Sequence, residues 1–448
     1  MLLNTDNNRR LTILVIPGLM PFPPNDGGKL CVYGFIDYLR RYHNIHLLLM
    51  ADSEGDKNYI EQLQSYWPEV SISHVDLFQR QVMPSNKTKF ISIAKKFLKA
   101  FINLFQARQV PAPENVYNWY QVNRTTPFYP HHVSFIQKLE SILSNTQFDI
   151  IQTELTWMLN LVNFLPVNSK KVFVQIENKS DVLYDYGISN DIHRGYLEYV
   201  VKNTEFLEYS YMAKYDAVFV LNESDRKRVQ ENLPDVMVYN SPYGILDRDI
   251  KKPDFGEYVS ENLIFMGGEN HYPNVDALEW FLSDIIPLFE NRPFRKLLIT
   301  GSWTDKTKER LSAMDKSVVF IGFVEDLDPY LKNSVSIVPI RIGGGGIRTK
   351  ILLAMAKCSP VVATSISAVG IGDANQNELV IADSAQAFAA SIKLLFSDRS
   401  KAREIISNAY ELINNKFSQH IVSELRNRYY LELTCKNYES LTAKAIPH

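Results

Sequence analysis

A glycine-rich loop flanked by two cations holds the residues best suited to chemistry in this sequence. Residues 341–350 read RIGGGGIRTK, so four consecutive glycines precede Arg348 and Lys350. Glycines let backbone N–H groups approach an anion closely, and the start of a following helix adds partial positive charge. The segment therefore predicts a diphosphate site. The alternative is a flexible turn before a solvated helix start, which the two flanking cations disfavour.

The spacing of these residues differs from two common nucleotide-binding motifs. It fits neither GxxxxGK[ST] nor a GxGxxG followed by an acidic ribose ligand, which disfavours an ATPase and an NAD-dependent enzyme. A second loop, residues 21–29 (PFPPNDGGK), follows the first predicted strand, where doubly wound folds bind ligands. Gly27 and Gly28 would permit close approach of a substrate, whereas the alternative is a rigid Pro-rich turn that starts a helix. This segment alone does not decide between the two.

The acidic pairs and the cysteines do not predict a metal site. Asp326/Asp328 and Asp247/Asp249 each fit D-x-D, a pattern whose carboxylates can hold a divalent ion. The first pair stands where a helix should begin, which explains its charge, and the second lies in a polar connector. The three cysteines form no CxxC motif and no Cys/His cluster, so neither a zinc site nor a disulfide framework is predicted.

Apolar runs that alternate with helix-length segments predict the elements that must position these loops. Residues 11–17 (LTILVIP) are typical of a strand buried on both faces of a parallel sheet, and 30–42 has the apolar spacing of a helix. Further strands are predicted at 46–50, 148–152, 171–176, 217–221, 262–266, 296–300, 318–321, 335–339 and 360–364. The pattern indicates an α/β protein with two Rossmann-like, doubly wound domains and C-terminal helices.

Composition and charge bound the class of protein. The chain has 448 residues and a formal net charge of −2, with 48 basic and 50 acidic residues. This balance is that of an ordinary globular protein and excludes a globally basic nucleic-acid binder. Proline, glycine, aspartate and lysine interrupt the periodicity at 240–255. We therefore predict domains at 1–245 and 256–415, a linker at 246–255, and a helical segment at 416–448 that packs back on the first domain.

Five motifs are spread over almost the whole chain. They are PFPPNDGGKL, SPYGI, FMGGENHYPNVDALEWFL, GFVEDLDPYL and VPIRIGGGGIRTKILLAMAKCSPVVATSISAVGI. With them the chain resembles the GT-B glycosyltransferases of the family 4 type (glycosyl transferases group 1). The resemblance implies two Rossmann-like domains that face each other across a cleft. It also implies transfer of a sugar from a nucleotide diphosphate sugar to a glycan or lipid-linked acceptor, with retention and with no metal or other cofactor, in cell-surface polysaccharide or glycoconjugate synthesis.

The resemblance also assigns residues to the cleft. It places the donor phosphates near the glycine loop, the base near the GFVEDL motif, and the acceptor or transferred sugar near the first loop. The substrate-binding residues so implied are Gly27, Gly28, Lys29, Gly267, Gly268, Phe323, Val324, Arg341, Gly343, Gly344, Gly345, Gly346 and Ile347, and the catalytic residues are Glu177, Arg348 and Lys350. Fixed cations and amides would stabilise the negative charge that develops on the leaving nucleoside diphosphate.

Two positions depart from the pattern of the family. Relatives usually carry a glutamate that hydrogen-bonds the donor ribose, in KILEAMA, where this chain has Leu353 in KILLAMA. Relatives often have a histidine after a first-domain strand, where QIENKSD places Glu177. This glutamate could accept a proton or bind a sugar hydroxyl, although a glutamate at a strand end is more often solvated or ion-paired. The alternative function is accordingly a catalytically degenerate GT-B subunit that binds a sugar nucleotide or a partner enzyme.

One segment of the first domain is unusual in charge. Residues 79–110 contain seven basic residues and no acidic one, interleaved with phenylalanines, isoleucines and leucines at helical spacing. This pattern predicts a helix that lies in an anionic membrane surface, and the alternative is a helix packed on its own domain with a solvated basic face. Nucleic acid is a weaker third possibility. No export signal and no membrane-spanning run is evident, so we expect a cytoplasmic protein, peripheral at the inner face of the cell membrane.

Overall fold

The protein contains two parallel β-sheets flanked by helices, as a computed structural model shows. This arrangement confirms the α/β, doubly wound fold expected from the apolar pattern. The structure describes residues 9–24, 27–77, 130–189, 192–256, 260–343, 346–371 and 377–435.

The first sheet is built from strands of the first half of the chain. Its described strands are β1 (Thr12–Ile16), β2 (Asn44–Ala51), β3 (Ser71–Asp76), β4 (Ile150–Glu154), β5 (Lys170–Gln175), β6 (Ala217–Val220) and β7 (Met237–Asn240). Their spatial order is β3-β2-β1-β4-β5-β6-β7, and all neighbours are parallel. β1 (TILVI) and β6 (AVFV) consist mostly of branched and aromatic apolar residues, because helices cover both faces of the sheet.

The second sheet repeats this order. Its described strands are β8 (Asn262–Phe265), β9 (Leu297–Thr300), β10 (Val318–Gly322), β11 (Ser334–Val338), β12 (Val361–Ala363) and β13 (Val380–Ile381). The spatial order is β10-β9-β8-β11-β12-β13. In each sheet the order in which strands are added switches to the other side of the first strand, so that β1 neighbours β4 and β8 neighbours β11. Ligands of doubly wound folds bind at such points, beyond the carboxyl ends of the strands.

Helices connect the strands and cover the sheets. Those of the first half are α1 (Gly27–Leu39), α2 (Glu54–Tyr66), α3 (Val133–Asn145), α4 (Lys179–Ser189), α5 (Arg194–Met212) and α6 (Glu223–Asn232), with a 3-10 segment at Thr156–Asn163. Those of the second half are α7 (Tyr272–Trp280), α8 (Asp305–Met314), α9 (Asp328–Leu331), α10 (Thr349–Ala356), α11 (Ala385–Ser397), α12 (Arg399–Leu412) and α13 (Gln419–Thr434). Short π segments, Phe281–Ile285 and Ile413–Phe417, extend α7 and α12.

Each strand predicted from an apolar run is confirmed, with bounds that differ by at most two residues. The predicted helix at 30–42 begins earlier, at Gly27. Three strands were not predicted, namely β3, β7 and β13, and each of them lies at the edge of its sheet. The predicted linker, 246–255, falls between β7 and β8, while the numbered bounds of the domains stay a prediction.

The two segments that cross between the sheets pair with each other. The Ile245 N–H donates to the Phe417 carbonyl at 2.7 Å, and the Gln419 N–H donates to the Ile245 carbonyl at 2.8 Å. Helix α13 then packs against α1 of the first half. Its buried Arg426 donates through Nε to the Ser241 hydroxyl at 2.8 Å, and its guanidinium lies 3.5 Å from the centroid of the Phe35 ring. These contacts hold both halves around one cleft.

Candidate active site

A cleft of about 630 Å³ lies where the carboxyl ends of the two sheets meet. The first half contributes the start of α1 and the loop before it, and the second half contributes the loops after β8, β9 and β10 together with one face of α10. The lining residues are Pro23, Pro24, Gly27, Leu30, Asp249, Met266, Gly267, Gly268, Thr300, Gly301, Phe323, Val324, Glu325, Asp326, Leu327, Thr349, Lys350, Leu353 and Lys357. Six of the predicted site residues, Gly27, Gly267, Gly268, Phe323, Val324 and Lys350, are among them.

The glycine loop follows β11 and leads into α10. Gly343 and Gly346 have φ angles of 116° and 102°, a backbone region that side-chain-bearing residues rarely adopt. A Cβ atom at Gly346 would lie 3.1 Å from the Ile176 carbonyl oxygen, so the loop closely approaches the first half at the end of β5. Gly344 and Gly345 lie outside the described residues.

Two contacts fix Gly343 on opposite sides. Its N–H donates to Oδ2 of Asp185 on α4 at 3.0 Å, and its carbonyl accepts from Nη2 of Arg348 at 3.3 Å. Sequence reasoning did not identify Asp185, which lies in the middle of an unremarkable helix. A carboxylate therefore stands beside an amide of the loop that was predicted to bind phosphate.

Lys350 lies in the first turn of α10 and reaches towards the loop after β8. Its Nζ donates to Oδ1 of Asn274 at 2.7 Å, and Nδ2 of Asn274 donates to the Gly268 carbonyl at 2.8 Å. Burial, helped by the neighbouring Arg348 charge, lowers the pKa of Lys350 to about 7. Among the described residues no carboxylate forms an ion pair with Lys350. The site thus contains a partly buried lysine that lies 5.0 Å from the centre of the Phe265 ring and has no carboxylate partner among the described residues.

Arg348 immediately precedes α10 and is also partly buried. Burial lowers the pKa of Arg348, while the carboxylates of Glu177 and Asp185 act in the opposite direction. Both carboxylates come from the first half, Glu177 from the end of β5 and Asp185 from α4. Glu177 also lies 3.9 Å from Nζ of Lys179, and its side chain is 38% exposed. The predicted catalytic residues Glu177 and Arg348 therefore lie close enough to interact electrostatically.

The loops after β8 and β9 pack closely because they contain glycine. A Cβ atom at Gly267 would lie 2.6 Å from Nδ2 of Asn274, and one at Gly301 would lie 2.5 Å from the Gly267 carbonyl oxygen. Nε1 of Trp303 donates to the Gly267 carbonyl at 3.0 Å. These contacts position the Gly267–Gly268 backbone at the wall of the cleft.

Residues after β10 form another wall. Phe323 is 57% exposed although it lines the cleft, so the face of its ring is available to a planar ligand. Val324 follows it along the same wall. The structure thus places both residues in the wall of the cleft, while their contact with a base stays a prediction.

The first loop brings one helix start against another. Gly27 begins α1, and a Cβ atom there would lie 2.2 Å from Oγ1 of Thr349, which begins α10. Two helix N-termini, each with partial positive charge, therefore meet at the cleft. Gly28 and Lys29 lie in the first turn of α1, half-buried, and are not among the residues that line the cleft.

Two other predicted binding residues lie beside the cleft rather than in its wall. Arg341 forms an ion pair with Asp276 at 2.9 Å and stacks over the Trp280 ring at 4.9 Å. Ile347 is 7% exposed and belongs to the hydrophobic core. Their placement indicates that Arg341 braces the start of the loop against α7, and that Ile347 anchors its end.

The D-x-D pairs form ion pairs and helix caps. Lys357 binds both Asp328 and Asp249, and Lys251 binds Asp328 at 3.1 Å. Oδ1 of Asp326 accepts the Asp328 N–H at 2.9 Å at the start of α9. Within the described ranges, no group of three or more histidines, cysteines, aspartates or glutamates could hold a metal ion. That neither pair holds a metal ion stays a prediction.

Some predictions cannot be placed. The basic segment 79–110 lies outside the described residues, as do all positions from 78 to 129. Across the part of the chain that the structure describes, no helix combines the length and apolar character needed to cross a membrane.

Comparison with known proteins identifies the class to which this cleft corresponds. Residues 260–398, which include the glycine loop and α10, match the family model described as Glycosyl transferases group 1. The resemblance to this family is therefore confirmed over the second half of the chain, while the family 4 type stays a prediction.

Relatives extend the likeness over nearly the whole chain. An uncharacterized 44.6 kDa protein in the cps region of Klebsiella pneumoniae is 23% identical over 421 residues, which cover 90% of this chain and 96% of the relative. Sucrose-phosphate synthase from Thermosynechococcus elongatus has a similar structure, with a TM-score of 0.66 at 14% identity, over 97% of this chain and 100% of that one.

A second solved structure has the same architecture. TarM from S. aureus, as a variant in complex with fondaparinux, alpha-GlcNAc-glycerol and UDP, superposes with a TM-score of 0.62 at 12% identity, over 94% of this chain and 99% of that one. These likenesses show the GT-B fold. Together with the family match they support the coarser functional prediction, a glycosyltransferase.

Proposed function

We propose that the protein transfers a sugar from a nucleoside diphosphate sugar to a glycan or lipid-linked acceptor in this cleft. The observation that carries the proposal is Lys350, a partly buried cation that lines the cleft beside a glycine loop and two helix N-termini. Burying an uncompensated charge is costly, and the pKa of about 7 reflects that cost. A diphosphate at this position would supply the missing negative charge.

The shape of the cleft suggests how the donor lies. Thr349, Lys350, Leu353 and Lys357 line the cleft along one face of α10. A diphosphate at the N-terminus of α10 would place the nucleoside beside Leu353, with the base against the exposed ring of Phe323. The ribose would then meet an apolar side chain where relatives carry a glutamate. We therefore expect ribose binding to depend on other groups of the cleft.

The electrostatics of the site favour departure of a nucleoside diphosphate. As the bond between sugar and phosphate breaks, negative charge grows on the phosphate oxygens. Arg348 and Lys350 stand at the start of α10, where Lys350 lines the cleft, so these fixed cations would stabilise this charge with little reorganisation. Glu177, at the end of β5, would accept a proton from the acceptor hydroxyl or hydrogen-bond the sugar.

Several finer features belong to this proposal. Retention of anomeric configuration rests on the resemblance to group 1 enzymes, and metal-independent transfer rests on the cations that would replace a divalent ion. The relative from Klebsiella pneumoniae is named for the cps region, which supports a role in surface polysaccharide synthesis. Attachment to an anionic membrane surface rests on the basic segment 79–110 alone.

A degenerate subunit that binds a sugar nucleotide without turnover is the second candidate. Leu353 favours it, because leucine cannot accept a hydrogen bond from ribose. The cations of the cleft fit both candidates, because each binds a nucleoside diphosphate, and they disfavour only a scaffold that binds no nucleotide.

A panel of nucleotide sugars with different bases tests both candidates. Each compound is added to the full chain, and thermal unfolding and release of the nucleoside diphosphate are measured. A true donor at 100 times its Kd should stabilise the fold by about 2.7 kcal/mol. Stabilisation by none of the panel would refute the donor site. Stabilisation without release of nucleoside diphosphate, in the presence of glycan acceptors, would favour the degenerate subunit. NMR of the product would establish the anomeric outcome.

A further inference from the structure

The carboxylate of Asp185 joins the two halves of the protein at the glycine loop. Asp185 belongs to α4 of the first half, and its Oδ2 accepts the N–H of Gly343 in the second half at 3.0 Å. Such a distance is normal for a charge-assisted hydrogen bond between an amide and an anion. The amide concerned belongs to the loop that the proposed function assigns to the donor phosphates.

The neighbouring cation is engaged in the same way. Arg348 donates to the carbonyl of Gly343 at 3.3 Å, and its charge is opposed by the carboxylates of Glu177 and Asp185. Before any donor binds, therefore, carboxylates of the first half already interact with the Gly343 amide of the glycine loop and with the neighbouring cation, Arg348.

We infer that Asp185 takes the place of a donor phosphate oxygen at Gly343, so that a nucleoside diphosphate must displace this carboxylate in order to bind. The inference rests on the proposed function, because it requires that phosphate binds at the glycine loop. A carboxylate oxygen and a phosphate oxygen both accept from an amide N–H, and two anions repel each other at one donor. The donor and Asp185 consequently compete for one position.

Competition of this kind lowers the apparent affinity for the donor. If only a fraction of molecules has the loop free, the observed Kd exceeds the intrinsic Kd by the inverse of that fraction. Asp185 would thus determine donor affinity without itself binding the donor. It would also connect donor binding to the relative position of the two halves, because the contact that breaks is one between them.

Titration calorimetry with the full chain tests the inference. The probes are UDP, GDP and ADP, which lack the transferred sugar, so contacts of Asp185 with a sugar do not affect the result. Asp185→Asn removes the charge with little change of shape, and Asp185→Ala removes the contact. Asp181→Asn is the matched control, because Asp181 lies one turn earlier on α4 and pairs with Arg228 at 2.7 Å instead of with the loop.

We expect both Asp185 variants to bind the preferred nucleotide about tenfold more tightly, equal to about 1.4 kcal/mol, and the control to stay within about twofold of wild type. Thermal unfolding verifies that each variant folds, and the isosteric Asp185→Asn decides if Asp185→Ala does not fold. Unchanged or weaker binding in Asp185→Asn would overturn the inference while the proposed function stands. Absence of binding in wild type and in both variants would overturn both. Binding in the Asp185 variants but not in wild type would support the inference most strongly.

Discussion

Lys350 should take up a proton when a nucleoside diphosphate binds. Its pKa of about 7 in the donor-free protein results from burial and from the charge of Arg348. At pH 8 a group with this pKa is about nine-tenths neutral. A diphosphate in contact with Nζ favours the charged form, so the pKa should rise well above 8 in the complex. Binding at pH 8 should therefore consume about 0.9 proton per molecule of protein.

The affinity for nucleotide should follow the same linkage. Because the bound form holds one more proton than the free form, the Kd should increase as pH rises above about 7. The increase approaches tenfold per pH unit until the pKa of the complex is reached. At pH 6, where Lys350 is mostly charged before binding, the dependence due to this residue should be small.

Calorimetry in two buffers of different ionisation enthalpy measures the proton uptake directly. Titrations of the preferred nucleoside diphosphate at pH 8 would give the number of protons from the difference in the observed heats. Lys350→Arg is the control, since arginine stays charged at every pH used, and its uptake should fall to near zero. Zero uptake by the wild-type protein, or equal uptake by Lys350→Arg, would show that Lys350 does not change its charge at the phosphate.

Three further predictions concern metal, backbone and burial. Transfer activity should survive excess EDTA, and a loss restored by Mg²⁺ or Mn²⁺ would instead point to Asp326 and Asp328 as ligands. Gly346→Ala should weaken nucleotide binding or the fold by about 1–3 kcal/mol, because φ is 102° there and the Ile176 carbonyl is close; unchanged calorimetry and unfolding would contradict this. Burial raises the pKa of Glu154 to about 7. Between pH 4.5 and 7 the folded state holds this proton more tightly than the unfolded state, so the free energy of unfolding falls as pH rises. Glu154→Gln should remove that loss, giving a higher Tm than wild type at pH 8 and little difference at pH 4, which differential scanning fluorimetry measures.

Most of the strands that could be predicted from the sequence are covered by helices on both faces, so both faces consist largely of apolar or small residues. β1 reads TILVI and β11 reads SVSIV, and helices cover them on both sides. β3 reads SISHVD and β7 reads MVYN, where apolar and polar residues are mixed because each lies at a sheet edge with one side partly solvated. These two edge strands lack a continuous apolar run, so their pattern resembles a connector, whereas the edge strand β10 (VVFIG) keeps such a run and was predicted.

Only part of the candidate site could be predicted from the sequence. The glycine loop and its cations were predictable, because consecutive glycines beside Arg348 and Lys350 have few structural explanations. Asn274 and Asp185 were not, since each acts on the loop from a position remote in sequence, and the Gly343–Asp185 contact spans 158 residues. Only the fold brings α4 and α7 to the same end of the two sheets. A single sequence contains no periodicity that reports such a contact.

Arg348 and Lys350 differ in how the protein offsets the free energy of removing their charges from water. The guanidinium cannot lose its proton under ordinary conditions, so a partly buried Arg348 requires anions nearby, and Glu177 and Asp185 supply them from the first half. The ammonium of Lys350 can lose its proton, so it tolerates its position against Phe265, 5.0 Å away, where the Asn274 amide is its polar partner among the described residues. The donor-free cleft can thus remain folded with two adjacent cationic residues. A diphosphate would replace the carboxylates at one residue and restore the charge of the other, so the same ligand removes both costs.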